Sequence, residues 1–357
     1  MKVSIITVCL NSEEYIEKTI RSVLNQTYDD IEYIIVDGMS TDNTLNIIEQ
    51  YKPLFGERLK IISEKDNGLY DAMNKGIKYA TGELIGIINS DDWYEFDAVK
   101  NVVKEYLKDR NSIIYGAMLL RIEDEISGIQ IRQHSELSNG MISHSTVFVP
   151  KEVYLKIGTF NTGLKLAADY DLMLRMLSEK INFKYIPKII ANFRKGGIST
   201  KFARIYTNES IMLKKIYGYD LEAYSVNPKK NSQAKFFWNV LIKKLCKYKY
   251  ENLYIYGIGS HTEELLNYIK SNSSIKIKGI IDKEKKIFEE VKYGYNVFKL
   301  EEVSNKADAI IISSESYEYI IYKRIKYLEN KLDIYRIYGA DSVEEANELI
   351  KDFKIDK

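Results

Sequence analysis

The sequence predicts an α/β protein: a doubly wound, mostly parallel sheet followed by a second, smaller α/β domain. Three observations predict it. Short, continuously apolar, β-branched segments alternate with segments of helical periodicity from Val3 to Leu107; each of the first four apolar segments ends in small or acidic residues; and a fresh strand, glycine turn and helix begins at Leu253.

Val3 to Leu10 reads as a strand and Asn11-Ser12-Glu13-Glu14 as a helix start, with Tyr15, Ile16, Ile20, Val23 and Leu24 at helical spacing. Ile31 to Val36 is the second strand, Asp37 to Asp42 a polar turn and Thr44 to Tyr51 its helix. Leu59 to Ser63 leads through Glu64–Gly68 into a helix over Leu69 to Ala80. Leu84, Ile85, Ile87 and Ile88 form a strand buried on both faces that stops at Asn89, Ser90, Asp91 and Asp92. A helix over Phe96 to Leu107 and a strand over Ser112 to Arg121 follow. His144 precedes another apolar strand closed by Pro150, and Lys151 to Ile157 is a short helix capped by Gly158. A helix starts near Asp169, a strand lies near Phe183 to Ile186, and Phe193 to Thr200 is a loop.

The 357 residues suffice for two domains, and 45% hydrophobic with 29% charged residues is ordinary for a globular protein. With 52 basic against 51 acidic side chains there is no global field to attract nucleic acid, so no nucleic-acid partner is indicated. Cys9 and Cys246 are too few and too far apart for a disulfide framework and fit a reducing compartment. The N-terminus lacks a signal-peptide pattern, and no apolar run approaches the roughly 20 residues of a spanning helix. The expectation is a cytoplasmic protein, at most peripheral at the inner face of a membrane.

Ligands of open α/β sheets bind at the carboxyl ends of strands. Asp91 and Asp92 at such an end suit a hard divalent cation that also holds phosphate; a turn capping the next helix is the other reading. Asp37 and Asp42 read as helix caps or, for Asp37, as an acceptor for a ribose or base edge. Acidic residues at several successive strand mouths suggest a nucleotide held with a metal.

Five stretches in this order resemble the family 2 glycosyltransferases: Ser4–Asn11, Val36–Thr44, Asp66–Gly76, Ala80–Glu83 and Asn89–Trp93. These are inverting enzymes of the GT-A fold that use nucleotide sugars and a divalent metal. The resemblance covers residues up to about 200. It implies that Thr7, Val8 and Asn11 line the base and ribose pocket, that Asp37 holds the base or ribose, and that Asp66 with Gly68 closes over the nucleotide. Asp91 and Asp92 resemble the family's metal and diphosphate carboxylates, with Asn89 and Trp93 beside them in the donor site and Mn2+ or Mg2+ as the cofactor. Many relatives carry Asp-x-Asp where this chain has Asn89-Ser90-Asp91 followed by Asp92. Asn89 can hydrogen-bond a ribose hydroxyl but brings no charge to a metal.

Inverting transfer needs a group that removes the acceptor hydroxyl's proton. Asp169 resembles the family's base, with a capping role open, and Asp171 reads as a helix N-terminal residue orienting the loop. Phe193 to Thr200 resembles a loop that folds over the donor diphosphate, where Arg194 and Lys195 supply positive charge; a turn with solvated basic residues is the alternative. His144 is open between a structural and a site role. The implied donor is a UDP-sugar, UDP-N-acetylglucosamine among the options, and the acceptor a hydroxyl of a glycan, a lipid-linked sugar or a protein such as a flagellin. A nucleotidyltransferase would need a basic, glycine-rich loop after the first strand, where Val8 to Glu14 is acidic. A non-catalytic nucleotide-sugar-binding assembly protein would not need Asp169.

The domains read as 1–215, a GT-A domain; 216–250, a helical Lys-rich linker including Lys229 and Lys230; and 251–357, a Rossmann-like domain. The helix over Ala234 to Tyr248 presents Phe236, Phe237, Val240, Leu241 and Leu245 on one side, fitting either a peripheral membrane contact or packing on a domain. Gly257-x-Gly259 and Asp282 resemble a dinucleotide fingerprint, but the third glycine is missing, with Glu263 or a neighbour in its place. A scaffold or partner-docking role is favoured, with no dinucleotide cofactor expected; a homo-oligomer is open.

Overall fold

The computed structural model describes residues 1–197, 201–219, 232–283 and 291–353. The chain divides into two compact units. Met1–Glu125, Gln130–Ser225 and Ile350–Lys357 form the first, and Ile126–Ile129 with Val226–Leu349 the second.

The strands of the first part of the chain are β1 (Val3–Cys9), β2 (Ile31–Asp37), β3 (Leu59–Ser63), β4 (Leu84–Ile87), β5 (Trp93–Tyr94), β6 (Ile113–Ile122), β7 (Glu125–Gln130), β8 (Phe148–Pro150) and β9 (Phe183–Arg194). Eight of them run across one sheet in the order β3-β2-β1-β4-β8-β6-β9-β5. All seven residues of β1 are buried, and it pairs in parallel with β2 on one side and β4 on the other, Val3 opposite both Ile31 and Leu84. Successive side chains alternate between two cores: Ile6, Val8, Ile34 and Val36 face one, while Val3, Ile5, Tyr33 and Ile35 face the other.

The sheet is more mixed than the sequence suggests. β8 runs antiparallel to both β4 and β6, and β5 antiparallel to β9. The 3-10 turn His144–Thr146 directly precedes β8. β9 is 12 residues long, far beyond the expected Phe183 to Ile186. It pairs with β6 as far as Arg121 opposite Arg194, and with β5, Trp93 opposite Asn192, so Phe193 and Arg194 belong to a strand and only Lys195 onward to a turn. Ile198, Ser199 and Thr200 of the expected loop lie outside the described residues.

In the second unit β10 (Leu253–Tyr256), β11 (Gly279–Ile281), β12 (Val291–Lys292), β13 (Tyr295–Phe298), β14 (Ala309–Ile312) and β15 (Asp333–Arg336) form a sheet ordered β12-β13-β11-β10-β14-β15, parallel except for the β12–β13 pair. The place of the third fingerprint glycine is taken by buried Thr262, whose hydroxyl donates to Gly257 O at 2.9 Å, while Glu263 faces solvent. Across the ends of β10 and β14, His261 Nδ1 lies 2.9 Å from Ser313 Oγ and its Nε2 2.8 Å from Tyr338 Oη. The Lys-rich helix spans Ser232–Leu245 and buries Phe237, Trp238, Leu241, Ile242 and Leu245, with Trp238 against His261 and Tyr268 of the same unit. Lys229 and Lys230 lie outside the described residues. Among the described residues no helix is long and apolar enough to cross a membrane.

Candidate active site

A cleft of about 1040 Å³ opens in the first unit. Its lining comes from the loops that follow β1, β3 and β4, from Asp169, from the segment 130–145 and from the helix Ala203–Ile216.

The backbone organises the loops after β1, β2 and β3. Asn11 sits at φ 50°, a left-handed conformation that Asn tolerates, and its Oδ1 accepts the Thr41 N–H at 2.9 Å. Buried Asp37 accepts the Ser40 N–H at 3.1 Å and the Ser63 hydroxyl at 2.8 Å, pinning the loops after β2 and β3. Its neighbour Cys9 is pushed up in pKa by burial and then by the Asp37 charge, so it stays a thiol. Asp66 accepts the Gly68 N–H at 2.9 Å, and its Oδ2 lies so close to Gly38 that a Cβ there would sit 2.5 Å away. Val8, Asn11, Asp66 and Gly68 line the cleft. Thr7 and Asp37 do not: Thr7 is fully buried and accepts the Tyr33 hydroxyl at 3.0 Å. Strand alternation explains the difference, since Val8 and Thr7 point to opposite faces.

The turn after β4, closed by the Asp92 N–H donating to Asn89 O at 3.1 Å, splits the carboxylate pair. Asp91 faces the cleft and meets Arg194, Oδ2 to Nη2 2.8 Å, while the guanidinium lies 3.9 Å from the Tyr15 ring centroid. Asp92 turns inward, fully buried, accepting Ser145 Oγ–H at 2.9 Å and the Arg194 N–H at 3.1 Å. Burial, and then the Asp91 charge, raise the Asp92 pKa. The expected metal role of Asp92 therefore meets a structural obstacle, because its carboxylate is not presented to the cleft. Asn89 lines the cleft, and its Oδ1 is buried without a hydrogen-bond partner among the described residues. Trp93 lies outside the lining, its ring 3.5 Å from Lys18 Nζ. Lys195 is outside it too, its N–H donating to Arg121 O at 2.9 Å.

Asp169 stands in the first turn of the helix Ala168–Ser178. Tyr70, from the helix Leu69–Tyr79, donates its hydroxyl to Asp169 Oδ1 at 3.3 Å, and the Tyr170 N–H donates to the same oxygen at 2.8 Å. Burial pushes the Asp169 carboxyl up to about 6, a value suited to a proton acceptor near neutral pH. Asp171 points elsewhere: it pairs with Arg175 at 2.9 Å, and Arg175 holds Ile157 O and Thr159 O. His144 lines the cleft, and burial pulls its pKa down to about 4, leaving a neutral imidazole.

Among the described residues no group of three or more His, Cys, Asp or Glu could hold a metal ion. The cleft instead offers Asp91 and the unpartnered Asn89 Oδ1, two hard oxygens that fit Mn2+ or Mg2+ only when substrate oxygens complete the shell. No motif points to Met118, Arg132, Lys201 or Lys214, which also line the cleft. Each is an isolated residue outside any motif; for Lys214 the one signal is its place on the inner face of an amphipathic helix.

The family model described as Glycosyl transferase family 2 matches residues 4–169, and one described as C2185-like, N-terminal, matches residues 249–338. A PGL/p-HBAD biosynthesis glycosyltransferase of Mycobacterium bovis is 32% identical over 202 residues, covering 55% of this chain and 78% of the relative. The hyaluronan synthase of Pasteurella multocida is 34% identical over 238 residues, covering 61% of this chain but 24% of the synthase. Among solved structures, S. aureus TarS 1-349 in complex with UDP-GlcNAc aligns at 19% identity and TM-score 0.49 over 76% of this chain and 74% of that one.

Proposed function

Because the chain belongs to glycosyl transferase family 2 and is a glycosyltransferase, we propose that it moves a sugar from a nucleotide-sugar donor to an acceptor hydroxyl in a single inverting displacement, with Asp169 as the general base. The observation that carries the reading is one cleft that joins Asp169, whose carboxyl is pushed up to about 6, to Asp91, Asn89 and Arg194. The acceptor oxygen attacks the anomeric carbon while Asp169 takes its proton, and the nucleoside diphosphate leaves.

Tyr70 orients Asp169 through its hydrogen bond to Oδ1. Asp66, Gly68, Val8 and Asn11 form the end proposed for the nucleoside, and Arg194 is within reach of a diphosphate at Asp91. A divalent cation held by Asp91 and Asn89 would neutralise charge on the departing diphosphate. The proposed donor is a UDP-sugar such as UDP-N-acetylglucosamine, and the acceptor a glycan, lipid-linked sugar or protein hydroxyl.

A thermal-shift panel of nucleotide sugars with Mn2+ or Mg2+ tests this reading. A rise in Tm with one nucleotide class, UDP-sugars first, is expected; no shift with any nucleotide would contradict it.

A further inference from the structure

The loop that delivers Asp169 is held by a side chain from another helix. Residues 159–167 connect Gly158, which ends the short helix Lys151–Ile157, to the helix Ala168–Ser178, and Asp169 is the second residue of that helix. The N-cap position is Ala167, flanked by Leu166 and Ala168, so no local side chain accepts the backbone N–H groups that precede the first turn. The acceptor comes from the helix Ala203–Ile216. The Glu209 carboxylate takes the N–H of Lys165 on Oε1 at 2.8 Å, and those of Leu166 and Ala167 on Oε2 at 2.9 and 3.0 Å. Bonds to an ionised acceptor are about twice as strong as neutral ones, and a helix N-terminus favours a carboxylate beside it.

Glu209 is not part of the cleft lining, although Tyr206, Thr207, Ser210 and Ile211 of the same helix are. Its contacts are with the base loop. The other end of that loop is tied as well: Asn74, one turn after Tyr70 on the helix Leu69–Tyr79, exchanges two hydrogen bonds with the Phe160 backbone, both 2.9 Å. The helix that orients the Asp169 carboxylate through Tyr70 thus fixes the start of the loop, and the helix Ala203–Ile216 fixes its end. Glu209 grips the residue at which the helix opens, since Ala167 O accepts the Asp171 N–H at 2.9 Å. The backbone direction at Ala167 sets where Asp169, two residues on, carries its side chain.

We propose that Glu209 is a positioning residue for the transfer: by clamping the Lys165, Leu166 and Ala167 N–H groups it fixes the place and direction of the Asp169 carboxylate. This rests on the reading of Asp169 as the general base. A misplacement of about 1 Å at a reacting group can cost about 10²-fold in rate, and a loop that carries no cap of its own depends on an outside clamp for that precision. Glu209 acts through Asp169 and not on the substrate.

The experiment is a double-mutant cycle on the full chain. Donor binding is read by calorimetry with UDP, and turnover by release of UDP from UDP-N-acetylglucosamine to water. In that reaction a water oxygen bonds to the anomeric carbon, the bond to the diphosphate breaks and the water proton goes to Asp169. Wild type, Glu209→Gln, Asp169→Asn and the double variant are compared. Glu209→Gln keeps the side chain's size but leaves one carbonyl oxygen for three N–H groups. It is expected to lower kcat about tenfold while KM and the UDP Kd stay within about twofold, which also shows the variant folded. In the Asp169→Asn background the same substitution is expected to change kcat by less than about twofold, because the base it places is already gone. Glu209→Asp, which keeps the charge on an arm one methylene shorter, is the second variant and should lower kcat in the same non-additive way. Wild-type kcat in both Glu209 variants, whatever their Tm, would make Glu209 a cap alone and overturn the proposal. So would an equal loss in the presence and absence of Asp169. Turnover by Asp169→Asn at the wild-type rate is a different result: it ends the base assignment itself, and this inference with it.

Discussion

Arg194 holds both members of the carboxylate pair after β4: its Nη2 meets Asp91 Oδ2 at 2.8 Å, while its backbone N–H donates to Asp92 at 3.1 Å. One residue of β9 thus fixes which carboxylate faces the cleft and which is buried. The Arg194 side chain is about one-fifth exposed and its guanidinium lies over the Tyr15 ring. Arg194→Met is expected to weaken UDP binding about tenfold or more, by loss of a charge-assisted bond, and Arg194→Lys to restore part of it. Calorimetry with UDP checks this; an unchanged Kd for the Met variant would remove Arg194 from the donor site.

The two carboxylates should separate in their response to cation. Mn2+ is expected to tighten UDP binding in wild type and in Asp92→Asn, and to have little effect in Asp91→Asn. The measurement is the UDP Kd with Mn2+ and with chelator, and a cation effect that survives Asp91→Asn would contradict the assignment.

Asp169 must be ionised to accept a proton, and its carboxyl is pushed up to about 6. Activity is therefore expected to rise with pH through about 6 and to level off above it, with a roughly tenfold fall per unit on the acid side. The Tyr70 hydrogen bond favours the carboxylate, so Tyr70→Phe should move the midpoint to higher pH. A pH–rate profile of kcat/KM reads both effects; an unmoved midpoint would separate Tyr70 from the base.

The helix that carries Tyr70 lies flush on β1. A Cβ at Gly76 would meet Ile6 Cγ2 at 2.4 Å, and Ile6 is a fully buried, stiff β-branched side chain. Gly76→Ala gains about 1 kcal/mol of helix propensity but should lose about 1–3 kcal/mol to overpacking. A lowered Tm is expected; a raised one would show that the interface yields.

The βαβ alternation of the first unit was legible because buried parallel strands are continuously apolar and end in polar turns. Asp66, Asp91 and Asp169 lie far apart in sequence and meet in one cleft. What the sequence hid is direction. Nothing local says that Val8 rather than Thr7 turns toward the cleft, because that depends on which face of the sheet β1 presents, or that Asp91 rather than Asp92 does, because that depends on how the turn after β4 is held by Ser145 and Arg194. The extension of β9 through Arg194 was hidden for a related reason: it follows from pairing with β6, Arg121 opposite Arg194, and with Trp93 and Tyr94 of β5, all distant in sequence. Arg132 and Lys214 had no motif to announce them and become visible only when the segment 130–141 and the helix Ala203–Ile216 close on one space.

The most direct measurement is sugar transfer by Asp169→Asn beside wild type, with donor binding followed in the same preparations. The substitution keeps the side chain's shape and removes its basicity. Donor affinity is expected to stay within about threefold while kcat falls about 10²–10⁴-fold, the usual contribution of a positioned general base. Transfer near the wild-type rate with donor binding intact would contradict the role of Asp169 and the mechanism built on it.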